Sequence, residues 1–152
     1  MVTVSLEEAR AAAAAVPDPE LPMLTLGDLG ILRDVVRRAD GGVEVVITPT
    51  YSGCPAMDAI REDIQRVLPG VSVRTVLAPP WTTGWITDEG RRKLAEHGIS
   101  PPGRTPVLQL NPRCPRCRSP RTRLVSRYGS TSCKAMFACR DCLEPFDHFK
   151  EF

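Results

Sequence analysis

The sequence predicts an α+β fold in two modules: a small three-stranded mixed sheet with helices, then a β module built around four cysteines. Three observations predict it. Runs with helical and strand patterning succeed one another as α-β-β-α-β-α through residues 1–103. Cys114, Cys117, Cys139 and Cys142 form two Cys-x-x-Cys pairs separated by 21 residues. Between these regions stands Ser100-Pro101-Pro102-Gly103-Arg104-Thr105-Pro106, which can continue neither a helix nor a central strand. Charge changes at the same place: residues 1–103 carry 10 basic and 14 acidic side chains, residues 104–152 carry 10 and 4. The predicted domains are therefore 1–103 and 104–152.

The elements follow in order. Ser5-Leu6-Glu7-Glu8 is a capping box ahead of an alanine-rich helix former. Val16-Pro17-Asp18-Pro19-Glu20 ends that helix and opens a loop, and Gly27-Asp28-Leu29-Gly30 is a further turn. Ile31 to Val36 and Val43 to Thr48 flank Asp40-Gly41-Gly42 and read as a β-hairpin. A helix follows from Pro55, with Ile60, Ile64 and Val67/Leu68 on one face, and Pro69-Gly70 stops it. Val71, Val73, Thr75 and Leu77 alternate as a third strand. After Pro79-Pro80-Trp81, Thr87 or Asp88 caps a short helix that ends at His97-Gly98.

In the second module, Thr122 to Tyr128 and Lys134 to Cys139 read as strands, with Phe146 to Phe149 a candidate third. Knuckle, strand, turn, strand, knuckle is zinc-ribbon architecture. Two residues between cysteines let a tight turn aim both sulfurs at one ion, and two such turns close a tetrahedral shell. A closed shell leaves no position for water or substrate, so the pattern argues for a structural metal. Zn2+ fits these ligands, and a single iron fits the same four thiolates. A module of 49 residues is too small for a hydrophobic core alone, so the ion is expected to supply most of its folding free energy. No run of apolar residues is long enough to span a membrane, and the N-terminus lacks a basic, signal-like start. A cytoplasmic, reducing location is expected, in which paired cysteines are metal ligands.

Cys54 is the candidate reactive thiol. Pro55 suits a first helical position, which puts Cys54 near a helix N-terminus where the dipole lowers a thiol pKa. A buried apolar cysteine is an equally weighted alternative. One cysteine cannot hold an iron–sulfur cluster alone, so further ligands must come from a second copy in a homodimer, a client or a small thiol. Asp18 and Glu20 flank Pro19 and are candidates for acid–base work, though loop carboxylates are more often caps. Trp81 and Trp85 could line a groove or plug the edge of the core. Cys133 packs inside rather than serving as a ligand, since the two pairs already supply four. The basic run that includes Arg116, Arg118 and Arg121 could contact phosphate, but aromatic residues near it are few. A solvated face or an acidic protein partner is favoured over nucleic acid. No P-loop, Gly-x-Gly-x-x-Gly or Gly-x-Ser-x-Gly occurs, and only two histidines do, so a self-contained enzyme is hard to build.

These residues also carry a resemblance. Asp18-Pro19-Glu20, Asp28-Leu29-Gly30, Thr48-Pro49-Thr50-Tyr51-Ser52-Gly53-Cys54-Pro55 and Pro79-Pro80-Trp81-Thr82-Thr83 resemble the SufT-like domain linked to iron–sulfur cluster assembly. Gly98-Ile99-Ser100-Pro101-Pro102, the four paired cysteines, Gly129-Ser130-Thr131-Ser132-Cys133-Lys134-Ala135 and Glu144-Pro145-Phe146-Asp147 narrow it to the PaaD (PaaJ) family, the D component encoded with phenylacetyl-CoA epoxidase. The resemblance covers nearly the whole chain. It implies an accessory protein of aerobic phenylacetate degradation, without catalytic activity of its own. Its implied partners are the reductase component, which carries a [2Fe–2S] cluster and flavin, and the di-iron oxygenase component. The implied role is maturation or insertion of the cluster, with Cys54 as the functional thiol and transient cluster contact. A structural adaptor of the oxygenase complex, or a nucleic-acid-binding ribbon, is the alternative. Candidate cluster-handling residues are Cys54, Asp18 and Glu20; candidate partner-binding residues are Trp81, Arg116, Arg118 and Arg121. The family tail carries a cysteine where this chain has Glu151.

Overall fold

A computed structural model describes residues 4–51, 54–103 and 111–151. The chain forms two compact units, Met1–Thr87 and Asp88–Phe152. In the first, helix α1 (Leu6–Ala14) begins at the expected capping box. The Ser5 hydroxyl accepts from the Glu8 N–H at 3.1 Å, and the Glu8 carboxylate accepts from the Ser5 N–H at 3.0 Å. Ala9 and Ala13, four apart, form its buried stripe. A second capping box, Thr25 with Asp28, starts the one-turn helix α2 (Leu26–Leu29), where the sequence predicts only a turn. Gly30 ends it with φ 72°.

Strands β1 (Leu32–Arg37) and β2 (Val43–Ile47) pair antiparallel across the Asp40-Gly41-Gly42 turn. The Asp40 carboxylate accepts from the Gly42 N–H at 2.9 Å, which sets that turn. Helix α3 (Met57–Val67) connects β2 to β3 (Ser72–Thr75), which pairs parallel with β2. The sheet order β1-β2-β3 is thus mixed, as predicted. Ile60 and Ile64 of α3 are buried with Val45 and Ile47 of β2 in the core of this unit. Burial of each such side chain contributes about 2 kcal/mol.

The second unit holds α4 (Asp88–Glu96), β4 (Ile99–Ser100), β5 (Thr122–Ser126), β6 (Lys134–Cys139) and β7 (Pro145–Phe149). Its sheet runs β4-β7-β6-β5, with β4 parallel to β7 and the other pairs antiparallel. The three predicted ribbon strands are present, and β4 adds a fourth. Because Ile99 and Ser100 pair with Asp147 and His148, compactness divides the chain earlier than the composition break at 103/104. Part of that break, Arg104-Thr105-Pro106, lies outside the described residues. Phe137 of β6 and Phe146 of β7 stack at 6.0 Å between centroids and lie in one core with Cys114, Ala135 and Cys139. No helix among the described residues is long and apolar enough to cross a membrane.

Candidate functional site

The four paired cysteines converge. Each knuckle is a tight turn closed by backbone groups: the Arg118 N–H donates to the Cys114 carbonyl at 2.8 Å, and the Cys139 N–H donates to the Glu144 carbonyl at 2.9 Å. The residue after each pair, Arg118 (φ 62°) and Leu143 (φ 65°), takes the left-handed conformation that reverses the chain. Neither is glycine, so each carries local strain of about 1 kcal/mol. The amides of Asp141 and Cys142 both donate to the Cys139 sulfur at 3.4 Å.

Across the knuckles, the Cys114 and Cys142 sulfurs lie 3.7 Å apart, and those of Cys117 and Cys139 lie 3.5 Å apart. All four lie within 4.8 Å of one another. Four thiolates about 2.3 Å from one tetrahedral ion would be separated by about 3.8 Å. The cage therefore has the scale of a single metal–thiolate centre. Its electrostatics call for a cation. The Cys142 N–H, then that of Asp141, pulls the Cys139 thiol down to about 7. At Cys142 the Glu144 N–H acts to lower the thiol, but burial and the three neighbouring sulfurs outweigh it and push it up to about 12. A cation among the sulfurs would relieve the repulsion that raises the Cys142 thiol.

Cys54 sits elsewhere, in the first unit. The helix after it starts at Met57 with Ala56 as N-cap, so Cys54 lies in the preceding turn, its carbonyl accepting from the Met57 N–H at 3.4 Å. It is half-buried. Burial raises its thiol pKa; the Ala56 N–H opposes this, and the Glu20 and Asp18 carboxylates raise it further. The lowering expected from a helix N-terminus is thus overturned. Asp18 is buried, and one carboxylate oxygen accepts from the Glu20 and Leu21 N–H groups, each at 2.8 Å. It caps the loop that brings both carboxylates near the thiol. Ser52 and Gly53, just before Cys54 in the chain, lie outside the described residues. Among the described residues the four paired cysteines are the group with metal-ligand geometry; Cys54, Asp18 and Glu20 do not join into another.

The partner-binding candidates differ in their surroundings. Trp81 is only 4% exposed, and its indole N–H donates to the Leu29 carbonyl at 2.7 Å. It plugs the core edge, the second of the two readings open to it. Arg116 pairs with Glu144 at 3.0 Å and Arg121 with Asp141 at 2.9 Å, so their charges are answered locally. Arg118 is exposed and makes no ion pair among the described residues. Each of those acids lies in or just after the second knuckle, while its arginine lies in or just after the first. The signal for them was there: an ion that joins two knuckles also joins their flanks. Cys133 is buried, outside the sulfur cage and 2.9 Å from the Thr131 hydroxyl.

Known proteins share both parts. Residues 6–77 match a model described as iron–sulfur cluster assembly protein, and residues 100–150 match the PaaD zinc beta ribbon domain. An Escherichia coli protein, named as a putative component of 1,2-phenylacetyl-CoA epoxidase, is 49% identical over 143 residues, covering 89% of this chain and 86% of that protein. This chain belongs to the PaaD family. This PaaD family member also has relatives that match part of the chain. An "Fe-S protein maturation auxiliary factor" of Porphyromonas gingivalis is 34% identical over 51% of this chain and 78% of that one. A solved domain of unknown function (DUF59) from Bacillus anthracis matches with TM-score 0.53 and 27% identity, over 59% of this chain and 90% of that chain. A conserved hypothetical protein from Thermotoga maritima matches with TM-score 0.50 and 30% identity, over 62% and 98%.

Proposed function

We propose that this PaaD family member is an accessory protein of a phenylacetyl-CoA epoxidase system, serving iron–sulfur cluster maturation of the reductase component. The observation that carries the reading is the division of labour among the cysteines. Four are spent on a closed cage, and Cys54 stands apart in the assembly-type unit beside two carboxylates. A thiol whose pKa is raised by burial and by neighbouring acids is a weak ligand near neutrality, because it must lose its proton to bind iron. Weak ligation suits cargo that has to leave again. The cage would hold Zn2+, which tolerates four thiolates in a tetrahedron and undergoes no redox change. Its role is to fix the ribbon, and the oxygenase and reductase components are the partners.

The test is reconstitution of apo-reductase with an iron–sulfur source and this protein, followed by visible absorbance. Wild type is expected to speed cluster formation, and Cys54→Ala to abolish that gain while keeping the fold. Equal rates with both would remove the carrier role. Stable co-purification with the oxygenase, independent of Cys54, would favour an adaptor instead.

A further inference from the structure

We propose that the outer edge of β5 is a docking strip for an extended, acidic segment of a partner protein, which adds to the ribbon sheet as another strand. β5 ends the sheet order, so among the described residues no strand covers its outer flank. An edge strand offers unpaired backbone N–H and C=O groups to an incoming chain. Apolar surface is placed beside them: Leu124 is 48% and Val125 49% exposed. Arg123 and Arg127 flank this surface, both exposed and without a carboxylate partner among the described residues. They differ in this from Arg116 and Arg121, whose charges are answered within the ribbon.

Charge decides between occupants. A second copy would bring the same arginines against these, and like charges across a strand pair repel. A single-stranded nucleic acid would answer the charge, but it also binds through stacking surfaces. Tyr128 is the exposed aromatic here, and the Lys150 ammonium lies 4.8 Å from its ring. An extended peptide with acidic and apolar side chains in alternation satisfies the backbone edge, the leucine–valine patch and the two arginines together. The strip stands whether or not Cys54 carries cargo.

The experiment uses the full metal-loaded chain and a fluorescent peptide of about ten residues that alternates Glu and Val. A Lys-Val peptide and a single-stranded oligonucleotide serve as comparisons. Binding is read by anisotropy and by amide hydrogen exchange. The acidic peptide is expected to bind, to slow exchange in residues 122–126, and to lose affinity at least about tenfold in the Arg123→Glu/Arg127→Glu variant. Leu124→Glu is expected to weaken it as well, while Arg38→Glu/Arg66→Glu in the first unit leaves it unchanged. No slowing in β5, preference for the basic peptide or the oligonucleotide, or self-association that the double reversal abolishes would each overturn the proposal.

Discussion

At the scale of single residues, backbone conformation makes opposite demands at two sites. A Cβ at Gly30 would lie 2.8 Å from the Trp85 carbonyl oxygen, at φ 72°. Gly30→Ala is therefore expected to cost about 2 kcal/mol, read from denaturant unfolding of the first unit. Leu143 has the same left-handed backbone but is 78% exposed. Relief of its strain outweighs the greater chain entropy of glycine, so Leu143→Gly should stabilise the ribbon by about 0.5 kcal/mol. The thiol at Cys54 has its own test. Burial is the first cause of its raised pKa, with Glu20 among the further ones. Glu20→Gln removes one repelling charge, so more thiolate forms near neutrality and alkylation by iodoacetamide should run faster than in wild type. Unchanged or slower alkylation would contradict the assigned surroundings. The direction of this shift was not legible in the sequence, because it depends on carboxylates more than thirty residues away that the Asp18 loop brings back.

Among the elements, those announced by local chemistry were readable and those made by distant partners were not. The box at Ser5 and the alternation of Val43 to Thr48 are local, and both elements formed. The box at Thr25 was equally local but short, with its acid an aspartate rather than the usual glutamate. β4 has two residues, and its partner strand lies 48 residues on, so no periodicity could reveal it. The tail secures this strand. The buried His148 ring places Nδ1 3.0 Å from the Ser100 carbonyl and Nε2 3.3 Å from the Glu151 carboxylate, which also accepts from the Gly103 N–H at 3.3 Å. Burial acts to raise the Glu151 carboxyl, yet the hydrogen bond and charge of His148 outweigh it and hold it below the usual range. A depressed carboxyl contributes stability above its unfolded pKa and loses it as pH falls through the folded one. Glu151→Gln should therefore lower the melting temperature of the ribbon near neutrality, and the gap should close below about pH 4. A gap that persists in acid would assign Glu151 a role other than charge.

For the whole molecule, the two units draw their stability from different sources. The first buries a conventional core around α3 and the mixed sheet. The second packs a small cluster, largely aromatic and sulfur, against its cage. Metal binding at such sites contributes on the order of 10 kcal/mol, more than that cluster supplies. Chelation is expected to expose the amides of β5, β6 and β7 to exchange while those of α1, α3 and β2 stay protected. Uniform loss across both units would show that they fold as one. The cage was legible because Cys-x-x-Cys spacing encodes its own geometry. The availability of individual arginines was not, since ion pairs across the knuckles exist only once the chain has closed.

The placement of β5 between the two knuckles has a consequence for the living cell. The hairpin of β5 and β6 runs from Cys117 of the first knuckle to Cys139 of the second, so the proposed docking edge would take its shape with the ion. Starvation for that ion would leave the lone thiol of the first unit intact but with no means of being brought to a client. Trace-metal supply would then license this helper at the step of recruitment.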